Sequence, residues 1–307
     1  MKKHDFVVLI PTHRRPDHVL TYHTLRQHGY TGRIVLIVDN EDETIEQYRR
    51  NYAANEIVVF DKAAAAAKAE AGDNFPARKT ALYAFNATFE VAAQLGYTYF
   101  ILLDDDYRRF EFRRDSHSQY CARKILSLDD VFRVMFDYFR SIPALSIAMA
   151  QTGDFAGGAQ CVGKTSHVWG RPSRKVMNSF FCSTERPFTF LGRLNADVNM
   201  YLVYGSRGGL FLTHGVTCLQ QEPTQANSGG MSEIYKDYGT YVKSFYSVMY
   251  APAAVKVSVL KSKFARIHHQ IRWRNAVPRV LSEAHRKARA ADDFEPADNE
   301  ASHADAT

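Results

Sequence analysis

The first hundred residues alternate apolar runs with polar, helix-like stretches, and this alternation limits the fold more than any other feature of the sequence. The apolar runs predict four strands, at Phe6–Ile10, Arg33–Asp39, Glu56–Phe60 and Tyr97–Leu103. The stretches between them predict helices at Pro16–His28, Glu43–Tyr52 and Ala77–Leu95. Continuous apolar strands separated by helices are typical of a mostly parallel sheet that is covered on both faces. We therefore expect an α/β fold.

The second half of the chain has a different pattern. It predicts a helix capped by Ser127, a strand at Ala144–Ala150, a hairpin over residues 210–221 and a helix at Met231–Met249. Residues 151–195 predict loops and short antiparallel strands. We expect a Rossmann-like half (residues 1–150) fused to a mixed half (residues 151–291). The acidic tail after it (residues 292–307) is expected to be disordered.

Charge is unevenly distributed along the chain. The net charge is +6, yet the tail from Asp292 onward holds six acids and no base. The segment Lys261–Arg289 is the densest in bases, with nine Lys or Arg against only Glu283. Such a segment indicates a polyanionic partner, nucleic acid first, although a solvated basic helix is the alternative. The candidate DNA contacts are Lys261, Lys263, Arg266, Arg272 and Arg274.

Several classes of protein are excluded or disfavoured. There is no run of about 18 apolar residues, so no membrane span is expected. The four cysteines are far apart and form no CxxC pair, which fits a reducing, cytoplasmic compartment. A GxGxxG or GxxxxGK[ST] motif does not follow the first strand, which argues against a dinucleotide dehydrogenase and a P-loop NTPase.

The fourth predicted strand ends in three consecutive acids, Asp104, Asp105 and Asp106. Ligands of open α/β sheets bind at the carboxyl ends of strands. Three adjacent carboxylates would repel one another there unless a cation lies among them, and oxygen ligands suit Mg²⁺ or Mn²⁺. The triplet therefore predicts a divalent metal site that holds phosphates.

Other polar groups are predicted at the same edge of the sheet. Strand one leads into Pro11-Thr12-His13-Arg14-Arg15, and strand two ends at Asp39. Arg78 and Lys79 are expected at the N-terminus of the helix before strand four, where free N–H groups favour a diphosphate.

These features together resemble the core of a GT-A glycosyltransferase. More narrowly, FPARKTALYAFN (residues 75–86), LLDDDY (102–107) and SGGMSEIY (228–235) resemble the TET/JBP-associated glycosyltransferases of phages. The resemblance implies a GT-A fold and a metal-dependent enzyme, which would be cytoplasmic in the host if phage-encoded. It also implies transfer of a sugar from a nucleotide-sugar, a UDP-sugar, to 5-hydroxymethylcytosine in double-stranded DNA.

The resemblance also implies roles for individual residues. Asp106 and Asp104 would bind the metal, and Asp197 would be the catalytic base, although Ala196 stands where the usual pattern has a second acid. His214 would be a third metal ligand, with Gln220, Gln221, His268 and His269 as alternatives. The nucleotide-sugar would contact Pro11, Thr12, Arg14, Arg15, Asp39, Arg78, Lys79, Asp104 and Asp105.

Two other functions remain open from the sequence. One is a GT-A transferase that acts on a polysaccharide, lipid or protein. The other is a non-catalytic nucleic-acid-binding protein with a degenerate GT-A fold. In the DNA reading, Phe180, Phe181, Phe188 and Phe190 are candidates for stacking on bases, with core packing as the alternative.

Overall fold

A computed structural model describes residues 5–155, 178–222, 241–260 and 266–282. The strands are β1 Phe6–Pro11, β2 Ile34–Asp39, β3 Ile57–Phe60, β4 Tyr99–Leu103, β5 Tyr107–Arg114, β6 Tyr120–Lys124, β7 Ser146–Gln151, β8 Ser179–Ser183, β9 Phe211–Gln221, β10 Val255–Leu260 and β11 Arg266–Ile271. The helices are α1 Leu20–Gln27, α2 Ile45–Asn51, α3 Lys62–Lys68, α4 Leu82–Gln94, α5 Leu128–Ser141, α6 Ala196–Ser206, α7 Val242–Tyr250 and α8 Trp273–Ala276. Short 3₁₀ turns lie at Ala54–Glu56 and Thr152–Phe155.

Nine strands form one sheet in the order β3-β2-β1-β4-β8-β7-β9-β5-β6. The first four are parallel, with Val8 opposite Ile34 and Phe6 opposite Tyr99. Every residue of β1 and β2 is buried, as expected for parallel strands covered on both faces. The predicted α/β fold is confirmed, and the four predicted strands of the first half all form.

The remaining strands make the sheet mixed. β8 is antiparallel to β4, whereas β7 and β9 are parallel. The predicted hairpin over residues 210–221 is wrong, because these residues form the single strand β9. Its pairing with β7 shifts register between Met149, opposite His214, and Ala150, opposite Cys218. A bulge at residues 215–217 therefore takes the place of the predicted turn.

Each face of the sheet has its own apolar core. On one face α5 contributes Phe132, Phe136 and Phe139. The other face is covered by α4 and α6 and includes three further phenylalanines, Phe180, Phe188 and Phe190, whereas Phe181 packs on the first face. Phe180, Phe181, Phe188 and Phe190 are all buried, so of the two alternatives the structure supports core packing over stacking on DNA bases.

Helix α4 begins at Leu82, five residues later than predicted. The Oγ1 of Thr80 accepts a hydrogen bond from the backbone N–H of Leu82 at 3.1 Å. Residues 74–79 before it have no regular secondary structure. Arg78 and Lys79 therefore do not lie on a helix N-terminus, because the turn at Thr80, whose side chain bonds the backbone of Leu82, precedes the first helical turn.

The described part of the basic segment, residues 266–282, begins with a strand and contains only one short helix, so it is not one continuous basic helix. β10 and β11 pair in an antiparallel manner, with Val257 opposite His269, and α8 follows. Arg272 and Arg274 are exposed. Lys261, Lys263, the acidic tail and the first ten residues of the predicted helix Met231–Met249 lie outside the described residues, as does the side chain of Arg266. Among the described helices, none has the length and apolar character needed to cross a membrane.

Candidate active site at the carboxyl edge of the sheet

A cavity of about 800 Å³ opens where β1, β2 and β4 end. Residues 76–81 form one wall of it, and the start of α6 forms another. Eleven sequence-predicted site residues line it, namely Pro11, Thr12, Arg14, Arg15, Asp39, Arg78, Lys79, Asp104, Asp105, Asp106 and Asp197. The parallel topology brings these residues together, since the carboxyl ends of neighbouring parallel strands meet at one edge.

Asp104 and Asp106 are two carboxyl groups of the cavity whose charged forms are disfavoured by their surroundings. Burial raises the pKa of Asp104 well above its usual range, and the charges of Asp106, Asp105 and Asp197 raise it further. Burial also raises the pKa of Asp106 to about 6. The Oδ2 of Asp106 accepts a hydrogen bond from Gln221, whereas its Oδ1 is buried with no hydrogen-bond partner. A nearby cation would favour the charged forms of such carboxylates.

Asp105, in contrast, is satisfied within the protein. Its carboxylate accepts hydrogen bonds from Arg15 at 2.9 Å and from Thr12 at 2.8 Å. Tyr48 joins the same network, with its hydroxyl 3.0 Å from Thr12 Oγ1. Burial raises the pKa of Asp105, although Arg15 opposes the shift. Asp105 and Arg15 line the cavity, but their charged groups pair with each other, so their main contribution is to fix the end of β1 against the end of β4.

A second polar cluster surrounds Asp39 at the end of β2. Its carboxylate lies 2.8 Å from the Nδ1 of His13 and 3.2 Å from the Nζ of Lys62. Burial by itself would raise the pKa of Asp39, but His13 and Lys62 more than offset this and lower it. Asp39 is therefore held as a carboxylate. Lys62 was missed by the sequence analysis, although Asp61, the N-cap of α3, marks the helix start that positions it.

The outer rim of the cavity carries exposed ion pairs. Arg14 has a positive φ of 54° and its guanidinium lies 3.2 Å from Glu43. The Nε of Arg78 donates to Glu41 at 2.9 Å, and this hydrogen bond raises the pKa of Arg78. Exposed pairs of this kind contribute little to stability. Both guanidiniums can therefore exchange their carboxylate partner for a bound anion at small cost.

Asp197 also lines the cavity, from the first turn of α6. Its charge raises the pKa of Asp104, so the two carboxylates are electrostatically coupled. The preceding Asn195 adopts a left-handed conformation, with φ 55°. This turn directs the start of α6 toward the cavity, and an asparagine tolerates it better than most residues.

The predicted metal set of Asp104, Asp106 and His214 is not brought together. His214 is buried in β9, does not line the cavity, and has its Nδ1 2.8 Å from Thr217 Oγ1. Burial lowers its pKa to about 4. Over the described part of the chain, no group of three His, Cys, Asp or Glu side chains has the arrangement of a metal site. The assignment of His214 is therefore wrong, because the expected hairpin is a single strand.

Three amide side chains line the same cavity as the acid triplet. Gln151 ends β7, Asn178 precedes β8 and Gln221 ends β9, and all three line the cavity. The Nδ2 of Asn178 donates to Gln221 Oε1 at 2.6 Å, and the Nε2 of Gln221 donates to Asp106 at 3.2 Å. Only Gln221 was considered from the sequence, since the other two depend on how β7, β8 and β9 join the sheet.

Comparison of the sequence with known protein families gives a match to one family of transferases. The family model of the TET-associated glycosyltransferases matches residues 6–230. No curated protein shows a significant sequence match. Among solved structures, glucosyl-3-phosphoglycerate synthase from Mycobacterium tuberculosis with Mg²⁺ and UDP matches at 10% identity and a TM-score of 0.43, over 87% of each chain.

Other structures match at the same level. The same enzyme with Mn²⁺, UDP and glucosyl-3-phosphoglycerate gives 10% identity and a TM-score of 0.44, again over 87% of each chain. A mycobacterial protein gives 9% identity and a TM-score of 0.45, over 87% of this chain and 83% of that one. Similarity at this level assigns neither substrate nor mechanism.

Proposed function

The chain belongs to the TET-associated glycosyltransferase family, and on this premise we propose that it transfers a sugar from a UDP-sugar to the hydroxymethyl group of 5-hydroxymethylcytosine in DNA. The observation that carries the proposal is the convergence of Asp104, Asp106 and Asp197 in one cavity whose rim holds Arg14 and Arg78. Acids at the centre and cations at the rim suit a metal-bound diphosphate, with a separate carboxylate left for the acceptor.

The residues of the cavity fit a divalent cation. The buried Oδ1 of Asp106 lacks a hydrogen-bond partner, and Asp104 lies beside it in a setting that disfavours its charge. Mg²⁺ and similar ions are commonly held by one or two carboxylates together with substrate phosphates and water. When bound, such an ion would neutralise charge on the diphosphate leaving group. A third protein ligand is not required.

The donor would lie on the side of the cavity formed by β1, β2 and residues 76–81. Arg78 and Lys79 would balance the negative charge that develops on the diphosphate as the glycosidic bond breaks. Asp39, fixed by His13 and Lys62, would face the nucleoside. This assignment uses the same edge at which ligands of parallel α/β sheets bind.

The acceptor would approach from the side of α6. Asp197 would accept the proton of the attacking hydroxyl while the new bond to the sugar forms. A hydroxymethyl group on C5 of a pyrimidine projects into the major groove, and base flipping would expose it fully. Two exposed arginines that follow the C-terminal hairpin, Arg272 and Arg274, would contact the phosphate backbone of the DNA.

One assay tests the proposal. The protein is incubated with Mn²⁺ and a panel of UDP-sugars, together with DNA that contains either cytosine or 5-hydroxymethylcytosine. The DNA is then digested and its nucleosides are weighed by mass spectrometry. We expect a hexose or pentose mass on 5-hydroxymethylcytosine alone. Transfer to a polysaccharide or protein acceptor but never to DNA would contradict the acceptor, and no turnover of any nucleotide-sugar would contradict the reaction itself.

A further inference from the structure

We propose that Arg193 is a positioning residue that fixes the segment carrying Arg78 and Lys79 relative to the helix carrying Asp197. The segment, residues 70–80, joins α3 to α4 and is called the strap below. The inference rests on the proposed function, because it assigns the strap to the donor and α6 to the acceptor.

Arg193 binds the strap with nearly its whole guanidinium group. The Nε and one terminal nitrogen donate to the two carboxylate oxygens of Asp73, at 2.8 and 2.9 Å. The terminal nitrogens also donate to the backbone carbonyls of Phe75, at 2.9 Å, and Ala77. The side chain of Arg193 is only 6% exposed. The planar guanidinium donates to a carboxylate and two carbonyls at once. Lysine is a poor substitute here, because its ammonium group lacks this planar arrangement of donors.

The backbone around Arg193 continues the same contact. Its own N–H donates to the carbonyl of Ala71 at 2.8 Å, and the N–H of Gly192 donates to Glu70 at 2.8 Å. At the far end of the strap, Thr80 Oγ1 donates to the carbonyl of Arg193 at 2.8 Å. The strap is therefore held at its beginning, middle and end by two consecutive residues.

The strap has little regular structure of its own that would hold it otherwise. Residues 74–79 are neither helix nor strand, and Arg78 and Lys79 follow directly after the carbonyl of Ala77 that Arg193 binds. Tyr246 of α7 adds a hydrogen bond from its hydroxyl to Asp73. Burial would raise the pKa of Asp73, but Arg193 and Tyr246 more than offset this and keep it low.

In the other direction along the chain, Arg193 is followed by a short loop to α6 whose backbone is held by side-chain hydrogen bonds. The Nδ2 of Asn199 donates to the carbonyls of Leu191 and Leu194, each at 2.9 Å. The side-chain amide of Asn195 donates to the carbonyl of Lys243 at 3.0 Å. Arg193 lies between these contacts, four residues before Asp197, so the strap is connected to the start of α6 through the loop that carries Arg193.

The experiment compares Arg193→Lys with a matched control, Arg186→Lys. Arg186 also donates to backbone carbonyls, those of Ile142, Ala144 and Phe139, but at the end of the sheet opposite the cavity. Both variants lose hydrogen bonds of the same kind, so both should unfold at a lower temperature. Titration calorimetry with UDP in the presence of Mn²⁺ and hydrogen exchange of residues 70–80 are then measured on the full chain.

We expect Arg193→Lys to bind UDP about tenfold more weakly and to exchange its strap amides faster. Arg186→Lys should keep the wild-type values of both. A milder variant, Tyr246→Phe, should shift both values in the same direction but less, because the Arg193–Asp73 pair remains.

Three results are informative against the inference. Unchanged strap exchange in Arg193→Lys would show that Arg193 does not hold the strap. Faster exchange with unchanged UDP affinity would show that the strap does not position the donor. Wild-type protein that binds no UDP with Mn²⁺ would overturn the proposed function, and this inference with it.

Discussion

The Nε2 of Gln221 donates a hydrogen bond to the Oδ2 of Asp106 across 3.2 Å, and so connects the end of β9 to the acid triplet after β4. The other oxygen of the same carboxylate, Oδ1, stays buried without a hydrogen-bond partner. Gln221 is itself oriented by Asn178. One oxygen of Asp106 is therefore held by a protein hydrogen bond, and the other is left without one.

Replacement of Gln221 should weaken metal binding although the proposed metal ligand, Asp106, is unchanged. Hydrogen bonds to a ligating carboxylate typically affect metal affinity by at least about tenfold, so we expect a loss of that size in Gln221→Met. Free Mn²⁺ can be followed by electron paramagnetic resonance in the presence of UDP. Gln220→Met is the matched control, because the neighbouring amide donates to Glu111 instead. Equal affinities of the two variants would contradict this role of Gln221.

Neutralising Asp106 should stabilise the metal-free protein while abolishing transfer. With a folded-state pKa of about 6, above the ordinary value of Asp, the ionised carboxylate opposes folding above pH 6. This penalty disappears as the pH falls from about 6 toward about 4. At pH 8 with a chelator, Asp106→Asn should unfold about 2–4 °C above the wild type. Retained, chelator-insensitive transfer in this variant would contradict the metal role of Asp106.

Asp197→Asn should impair the chemical step and spare the donor. Loss of a general base typically lowers turnover by about 100-fold or more. Because Asp197 is assigned to the acceptor hydroxyl and not to the diphosphate, the affinity for UDP with Mn²⁺ should stay within about twofold of the wild type. Steady-state kinetics with varied acceptor, together with calorimetry of UDP, measure the two quantities. A variant with near-normal turnover would place the base elsewhere.

Replacement of His214 should change how the free energy of unfolding depends on pH, and it should not change the affinity for the metal. Its folded-state pKa of about 4 lies below its ordinary value. Its contribution is thus fully present above about pH 6.5 and is lost as the pH falls through about 4. Between these values His214→Gln should show a flatter dependence of the free energy of unfolding than the wild type. His18→Gln, at an exposed position, is the control. A loss of Mn²⁺ affinity in His214→Gln would restore His214 as a ligand.

Arg272 and Arg274 should contribute to DNA affinity in a salt-dependent way. Reversing both charges should weaken DNA binding and lower the slope of log affinity against log salt by about 2, one per lost phosphate contact. The control is charge reversal at Arg49 and Arg50, two exposed arginines of α2. Helix α2 packs through Tyr48 on one face of the sheet, whereas the C-terminal hairpin region packs on the other. An unchanged slope in the Arg272 and Arg274 variant would indicate a different acceptor surface.

The pattern of apolar and polar residues was enough to predict the first half of the fold and most of one side of the site. Parallel strands that are buried on both faces must be continuously apolar, and their polar side chains must therefore begin where the strands end. For this reason Thr12, Asp39 and Asp106 could be assigned to one edge before any strand order was known. The position of Asp197 rested on resemblance, and the cavity includes it.

The tertiary structure alone decided what the second half contributes. Gln151, Asn178 and Gln221 lie 27 or more positions apart, and only the order β8-β7-β9 places them on one rim. Asp73 and Arg193 are separated by 120 positions, and the helix predicted from Ala77 onward concealed the irregular strap that Arg193 binds. His214 failed as a ligand because a bulge replaced a turn. Local periodicity reports which residues are buried, whereas contacts between distant segments depend on the order in which strands pair, and that order is fixed only when the whole sheet forms.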